Sequence, residues 1–377
     1  MTQKRLLSAA AAIALLVVIF FLTRGGGEAV DSTQKEQAQT GGQETASASP
    51  GRKPAGPTQP GTPQSATAPA ADPKSAKVFA QGAWGTGPND FGRHNVPESN
   101  PEAPMAISVD AQGNAYVLDQ VNGRILRFDK DGKPLEPFPL TQQAPRELTV
   151  SPTGATLVLD QGRDKSVAVL DRDGKLIGEL PITGKRLSDK EAGLATGIFA
   201  DADGVYVEKG HAMQFRVGDA AGNPDPNQPL MDGRPTRDGT SLLSMGLINA
   251  LAGRFWVRAT DRSTGQMKFM REYTLPTPII FLTFLDSDPS GRIYAAAHVG
   301  RELPIDPRDG GRGGGFTDES LQLLCLTPTG EPRNMLALPA NTMSEETVRD
   351  LAVRDDGTIL YMFRTEEGLK ILQYSCN

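Results

Sequence analysis

Residues Ala103–Leu140 read APMAISVDAQGNAYVLDQVNGRILRFDKDGKPLEPFPL. Three short apolar runs, Met105–Asp110, Ala115–Asp119 and Arg124–Asp129, are each closed by an acidic or glycine-bearing turn, and a fourth extended run follows. Alternating runs of this length separated by Gln-Gly-Asn and Asp-Gly turns spell one four-stranded antiparallel sheet in about 40 residues. Such a sheet has two apolar faces and cannot bury both alone, so it needs copies of itself as neighbours.

The copies follow in order. Leu148–Ser151, Thr156–Asp160 and Val167–Asp171 repeat the pattern at an offset of about 41 residues, and the dipeptide Asp119-Gln120 recurs as Asp160-Gln161. A looser third copy takes Gly197–Asp201, Gly204–Glu208 and Met213–Val217, and a fourth takes Leu247–Leu251, Gly253–Arg258 and Met267–Tyr273 as its first three strands. Phe281–Asp286, Gly291–Ala295 and Leu321–Leu326 form a fifth, and Val348–Val353, Ile359–Phe363 and Leu369–Tyr374 a sixth. The sixth copy lacks a fourth strand, while Lys77–Trp84 is a spare strand ahead of the first. Closing the circle with it removes two exposed edges at once. The expectation is an all-β, six-bladed propeller over residues 77–377, with five or seven blades as alternatives.

Two further segments precede it. Lys4 and Arg5 lead an apolar run from Leu6 to Leu22, broken only by Ser8 and followed by Arg24. That length fits an uncleaved signal-anchor over residues 1–24 better than a cleaved secretory signal. The flanking charges place the N-terminus inside and the rest outside a bacterial cytoplasmic membrane, so the expected location of the propeller is periplasmic or otherwise extracytoplasmic. Residues 25–76 are rich in Gly, Pro, Ser, Thr, Gln and Ala, with no aromatic residue before the boundary. They read as a disordered tether with a reach of about 40 Å.

The run Trp84-Gly85-Thr86-Gly87, Asp90-Phe91-Gly92, Pro104, Ile107–Asp110, Gly113-Asn114, Asp119, Asn122-Gly123-Arg124, Phe128-Asp129 and Gly132 resembles an NHL repeat of the six-bladed propeller class. The likeness covers about 55 residues well and the second copy in part; the Asn-x-Arg element is not repeated. The resemblance implies the fold. Propellers of this kind serve as scaffolds, ligand binders and sometimes enzymes, so it implies no single activity.

The net charge of −6 gives no reason to expect a nucleic-acid partner. Three histidines far apart in sequence and two cysteines outside any C-x-x-C pair offer no metal site of recognisable spacing, and no cofactor motif is present. The turns Asp129–Gly132, Asp171–Gly174, Asp201–Gly204 and Asp355–Gly357 bring glycine too early for a calcium loop and read as hairpin turns. Arg308–Phe316 has the glycines of a phosphate loop without its Lys-Ser or Lys-Thr, and reads as an insertion in the fifth copy. Cys325 and Cys376 fall on the third strands of the last two sheets, where a disulfide and two buried thiols are both open.

Loops joining second to third strands, with those entering each new sheet, line one mouth of a propeller channel. Projected onto the repeats, that mouth gathers Gln120, Arg146, Glu147, Gln161, Glu208, His211, Arg258, Asp261, His298, Arg301, Arg349 and Asp350. The ligand-binding candidates are Arg146, Glu147, His211, Arg258, Asp261, His298, Arg301, Arg349 and Asp350. Solvated loop side chains are the alternative, and the two histidines fit a rim better than a metal centre. No catalytic constellation is legible. The sequence therefore suggests a membrane-tethered binding scaffold for an envelope protein or a small ligand. A mouth-centred hydrolase or lyase, calcium-dependent in the manner of a lactonase, is the alternative.

Overall fold

A computed structural model describes residues 64–65, 76–95, 101–211, 213–304, 315–341 and 343–376. The anchor reading for 1–24, most of the tether and the glycine-rich insertion fall outside them. No helix of the described residues is long and apolar enough to cross a membrane.

Six sheets follow one another in chain order. Blade 1 comprises Ile107–Val109, Ala115–Asp119, Arg124–Phe128 and Pro134–Pro139; blade 2 comprises Glu147–Val150, Thr156–Asp160, Ser166–Leu170 and Leu176–Pro181. Blade 3 is Ala195–Ala200, Val205–Lys209, Met213–Gly218 and Leu230–Met231. Blade 4 is Arg234–Pro235, Ser241–Asn249, Arg254–Asp261 and Met267–Thr274; blade 5 is Ile279–Ser287, Ile293–Glu302, Phe316–Leu326 and Pro332–Pro339. Blade 6 takes Leu351–Val353, Thr358–Arg364 and Gly368–Ser375 from the C-terminal end and Lys77–Ala83 as its outer strand, with Lys77 opposite Gln373 and Ala83 opposite Gly368. The spare strand closes the circle as its sequence suggested.

The fourth copy is displaced from its reading. Arg234–Pro235 is its first strand, so the three runs assigned as first, second and third strands belong to the second, third and fourth. A two-residue strand containing proline has no apolar alternation to announce it. Its marker is the turn after it, where Thr236 N–H donates to Ser241 O and Asp238 Oδ1 accepts from Thr240 N–H.

The resemblance residues of blade 1 act as fasteners. The Asp119 carboxylate, fully buried, accepts from Gly92 N–H (2.8 Å), Asn122 Nδ2 (3.0 Å) and Arg124 Nε (2.9 Å). Arg124 Nη2 donates to Gly87 O and Asp90 O, and Asn122 Nδ2 also reaches Gly85 O. Thus Trp84–Gly92, the stretch after the closing strand, is buttoned onto the mouth-side end of blade 1. A Cβ on Gly92 would lie 2.7 Å from Asp119 Oδ1.

Apolar clusters fill the seams between blades 1 and 2, 2 and 3, 4 and 5, 5 and 6, and 6 and 1. The seam between blades 3 and 4 is held by charge: Arg262 pairs with Asp201 (2.6 Å) and Asp203 (2.9 Å) and donates to the Tyr206 hydroxyl. Cys325 of blade 5 and Cys376, after the last strand of blade 6, are joined by a disulfide with their Cα atoms 6.2 Å apart.

Each blade begins at the same hairpin level. The turns after the first and third strands lie on one face, and their carboxylates bond their own backbone: Asp129 Oδ1 accepts from Asp131 and Lys133 N–H, and Asp171 Oδ1 from Asp173 and Lys175 N–H. These are turn-closing groups, as the glycine spacing implied. The opposite face carries the second-to-third-strand loops and the blade-to-blade connections, and it forms the mouth.

Candidate functional site

The first strands ring a cavity of about 70 Å³ that every blade helps to line, through Ser108, Thr149, Ala200, Pro235, Asp286 and Ala352 among others. That space admits a few waters and falls well short of the roughly 300 Å³ of the smallest drug-sized sites. Arg237 sits at its turn-face end, donating to Val353 O (2.6 Å) and paired with Asp355. Phe199 and Arg349 also line the cavity.

Phe199 is the hub of the mouth. The Arg234 guanidinium lies 4.4 Å from its ring centroid and that of Arg349 5.1 Å. Each cation has a buried carboxylate: Arg349 pairs with Glu147, and Arg234 pairs with Glu208 (3.0 Å). Arg349 Nη2 also donates to Ile198 O, and Arg234 Nη1 to Leu285 O. Burial pushes the Glu147 carboxyl above its ordinary range against the pull of Arg349 and Arg234. At Glu208 burial acts the same way, but Arg234 and His211 outweigh it and hold the group well below the usual range.

Of the candidates read from sequence, Glu147, Arg349 and the neighbouring Glu208 come together here. His211 stands at the rim, in a left-handed backbone conformation (φ 56°), with Nδ1 3.6 Å from Glu208 Oε2. Arg146 pairs with Glu346 at 2.5 Å. Gln120 donates to Ala103 O, and Arg301 lies 3.6 Å from Asp318.

His298 and Asp350 form a second group, at the seam of blades 5 and 6. The His298 ring stacks on Phe281 with centroids 4.5 Å apart. Asp350 is 3% exposed and its Oδ2 has no hydrogen-bond partner. Burial raises its pKa, opposed by His298 and Arg364; burial lowers that of His298, opposed by Asp350.

Arg258 and Asp261 stand apart from both groups, which corrects their assignment to a mouth loop. Both lie on the third strand of blade 4, displaced by the unseen first strand. Arg258 bonds Asp232 Oδ1 and Ser244 Oγ, and Asp261 closes a turn on the opposite face by accepting from Ser263 and Thr264 N–H. The residues that sequence reading missed are Phe199, Arg234 and Arg364. Arg234 was recoverable from the Asp238-Gly239 turn; the other two are set by contacts between blades. Among the described residues, no group of three or more His, Cys, Asp or Glu side chains is placed to hold a metal ion.

No family model matches the sequence, and no curated protein does. Among solved structures, a hydrazine synthase chain of Kuenenia stuttgartiensis is similar at 16% identity and a TM-score of 0.43, covering 72% of this chain and 80% of that one. Virginiamycin B lyase from Staphylococcus aureus is similar at 14% identity and 0.39, covering 76% and 99%. A streptogramin B lyase is similar at 13% identity and 0.37, covering 75% and 96%. The strand order itself makes the protein a six-bladed β-propeller with four-stranded antiparallel blades.

Proposed function

We propose that the protein is a membrane-tethered, extracytoplasmic propeller of NHL-repeat-like type whose mouth binds a protein of the cell envelope or a small ligand. The observation that carries this is the closed mouth. The two cations flanking Phe199 are each spent on a buried glutamate, and the cavity beneath is small. Such a mouth is built as a rigid rim, and recognition takes place on its outer surface, around His211 and the Arg146–Glu346 pair. The disulfide supports an oxidising compartment, as does the apolar run at Leu6–Leu22.

The test uses full-length protein cross-linked in intact cells and purified from the envelope, beside an Arg146→Ala, His211→Asn variant. The expected result is one co-purifying envelope species that the variant loses while keeping its thermal stability. Equal recovery by both proteins would overturn a mouth-centred interaction.

A further inference from the structure

Blades 4 and 5 are taller than the rest. Counted from the hairpin on the turn face, the second strands of blades 1, 2 and 3 run for five residues and that of blade 6 for seven, whereas Ser241–Asn249 runs for nine and Ile293–Glu302 for ten. At about 3.3 Å per residue the extra length over blades 1 to 3 raises a wall about 13–16 Å above one side of the mouth. On blade 4 its upper edge carries the exposed apolar side chains of Leu247 (48% exposed), Ile248 and Leu251 (81%); on blade 5, Leu303 and Phe316 stand exposed among Arg301, Glu302, Thr317 and Asp318. The turn that presents Leu251 is fixed by Gly253 N–H to Ala250 O, Ile279 N–H to Ala250 O and Ala252 N–H to Asn249 Oδ1. A leucine held out on a hydrogen-bonded turn is displayed, and exposed apolar side chains grouped at one level mark an interaction surface.

The route of the chain says what faces it. Gln64 and Ser65 pair in parallel with Tyr273 and Thr274, the last residues of the outer strand of blade 4. Thr274 is opposite Arg254, and Arg254 opposite Asn249, so these residues share the mouth-side level of the blade. Gln64 and Ser65 therefore lie level with the exposed edge of blade 4, and the chain that precedes them joins the propeller there.

We infer that the upper edge of blades 4 and 5 dips into the lipid surface to which the N-terminal segment is tethered. This rests on the tethered reading above. Among the described residues, the blade cations near the edge, Arg254 and Arg301, have carboxylate neighbours in Glu272 and Asp318. Attachment is thus apolar rather than electrostatic, and independent of anionic lipid.

The test takes full-length chain in phosphatidylcholine vesicles, with an environment-sensitive fluorophore on Leu251→Cys or, as a control on the turn face, on Asp173→Cys. The expected result is blue-shifted emission at position 251 that is lost to lipid-borne nitroxide quenchers and unchanged by salt, with neither effect at 173. Carbonate extraction reports on the anchor separately. Unquenched emission at 251 in carbonate-resistant protein overturns the inference and leaves the anchor standing. Quenching in protein that carbonate removes upholds the inference and sinks the anchor, and loss of both signals sinks both. A blue shift without quenching that grows with the protein-to-lipid ratio replaces the lipid surface with a second copy of the chain.

Discussion

Arg349, at the entry to blade 6, forms an ion pair with Glu147, the first strand residue of blade 2, while its Nη2 holds the carbonyl of Ile198 in blade 3. One side chain thereby ties three blades across the mouth. Because Glu147 is buried, it cannot fall back on water when its partner is removed. Arg349→Ala is expected to cost about 3–5 kcal/mol, the usual penalty for stranding one member of a buried pair. Arg349→Leu with Glu147→Leu is expected to cost less than the single change. Urea unfolding of the three proteins checks this, and a double variant worse than the single would show that the Ile198 contact dominates.

Cys325 and Cys376, 51 positions apart, pin the end of blade 6 to blade 5. By chain entropy alone a loop of that size is worth about 4 kcal/mol. Replacing both cysteines with serine is expected to lower the unfolding free energy from urea titration by a comparable amount, and reductant is expected to do the same to the wild type. Thiol titration of the unfolded, unreduced protein should find no free sulfhydryl.

Lys77–Ala83 supplies the outer strand of blade 6 and carries Phe79 into the seam with blade 1. A chain beginning at Trp84 is expected to lose cooperative unfolding and aggregate through the bare edge of Gly368–Ser375. One beginning at Ala76 keeps a single transition. Gly132 tests the same junction more gently: its φ is +84°, and a Cβ there would sit 1.9 Å from Phe79 O. Gly132→Ala should destabilise more than Gly123→Ala, which shares a positive φ but meets nothing within 4 Å. Circular dichroism melts of the two variants separate clash from backbone strain.

What the sequence made legible was whatever repeats locally. Asp119-Gln120 and Asp160-Gln161 announce the ends of equivalent strands, and the Asp-Gly turns set the beat. The missing strand of blade 6 was found by counting. Arg234–Pro235 escaped because two residues cannot show a period, and the lost strand carried Arg258 and Asp261 to the wrong place. Phe199 lay in a strand already recognised, but its position between two guanidiniums from blades 4 and 6 depends on blades meeting around an axis. The heights of blades 4 and 5 were blurred for a related reason. Gly291–Ala295 and Leu321–Leu326 hold the apolar density, while the far ends of the extended pair, Arg301-Glu302 and Thr317-Asp318-Glu319, are polar and break the pattern.

Asp350 offers a test in which titration decides the outcome. Its carboxylate is buried at the seam of blades 5 and 6, with Oδ2 unpartnered, and the groups acting on it are His298 from blade 5 and Arg364 from its own blade, with Glu345 and Tyr361 beside Arg364. Burial wins over both cations and raises its pKa. A carboxyl raised in the folded state contributes stability that is complete below the ordinary aspartate value near 3.9 and is lost as the pH climbs through the folded value. At neutral pH the ionised group is therefore a burden. Asp350→Asn keeps the shape, removes the charge, and is expected to stabilise the protein at pH 7 by on the order of 1 kcal/mol. The gain should shrink toward zero as the pH falls through the acid range. Unfolding of both proteins across that range gives the difference directly. A variant less stable than wild type at pH 7 would mean that Arg364 and His298 make the charge worth more than its burial costs.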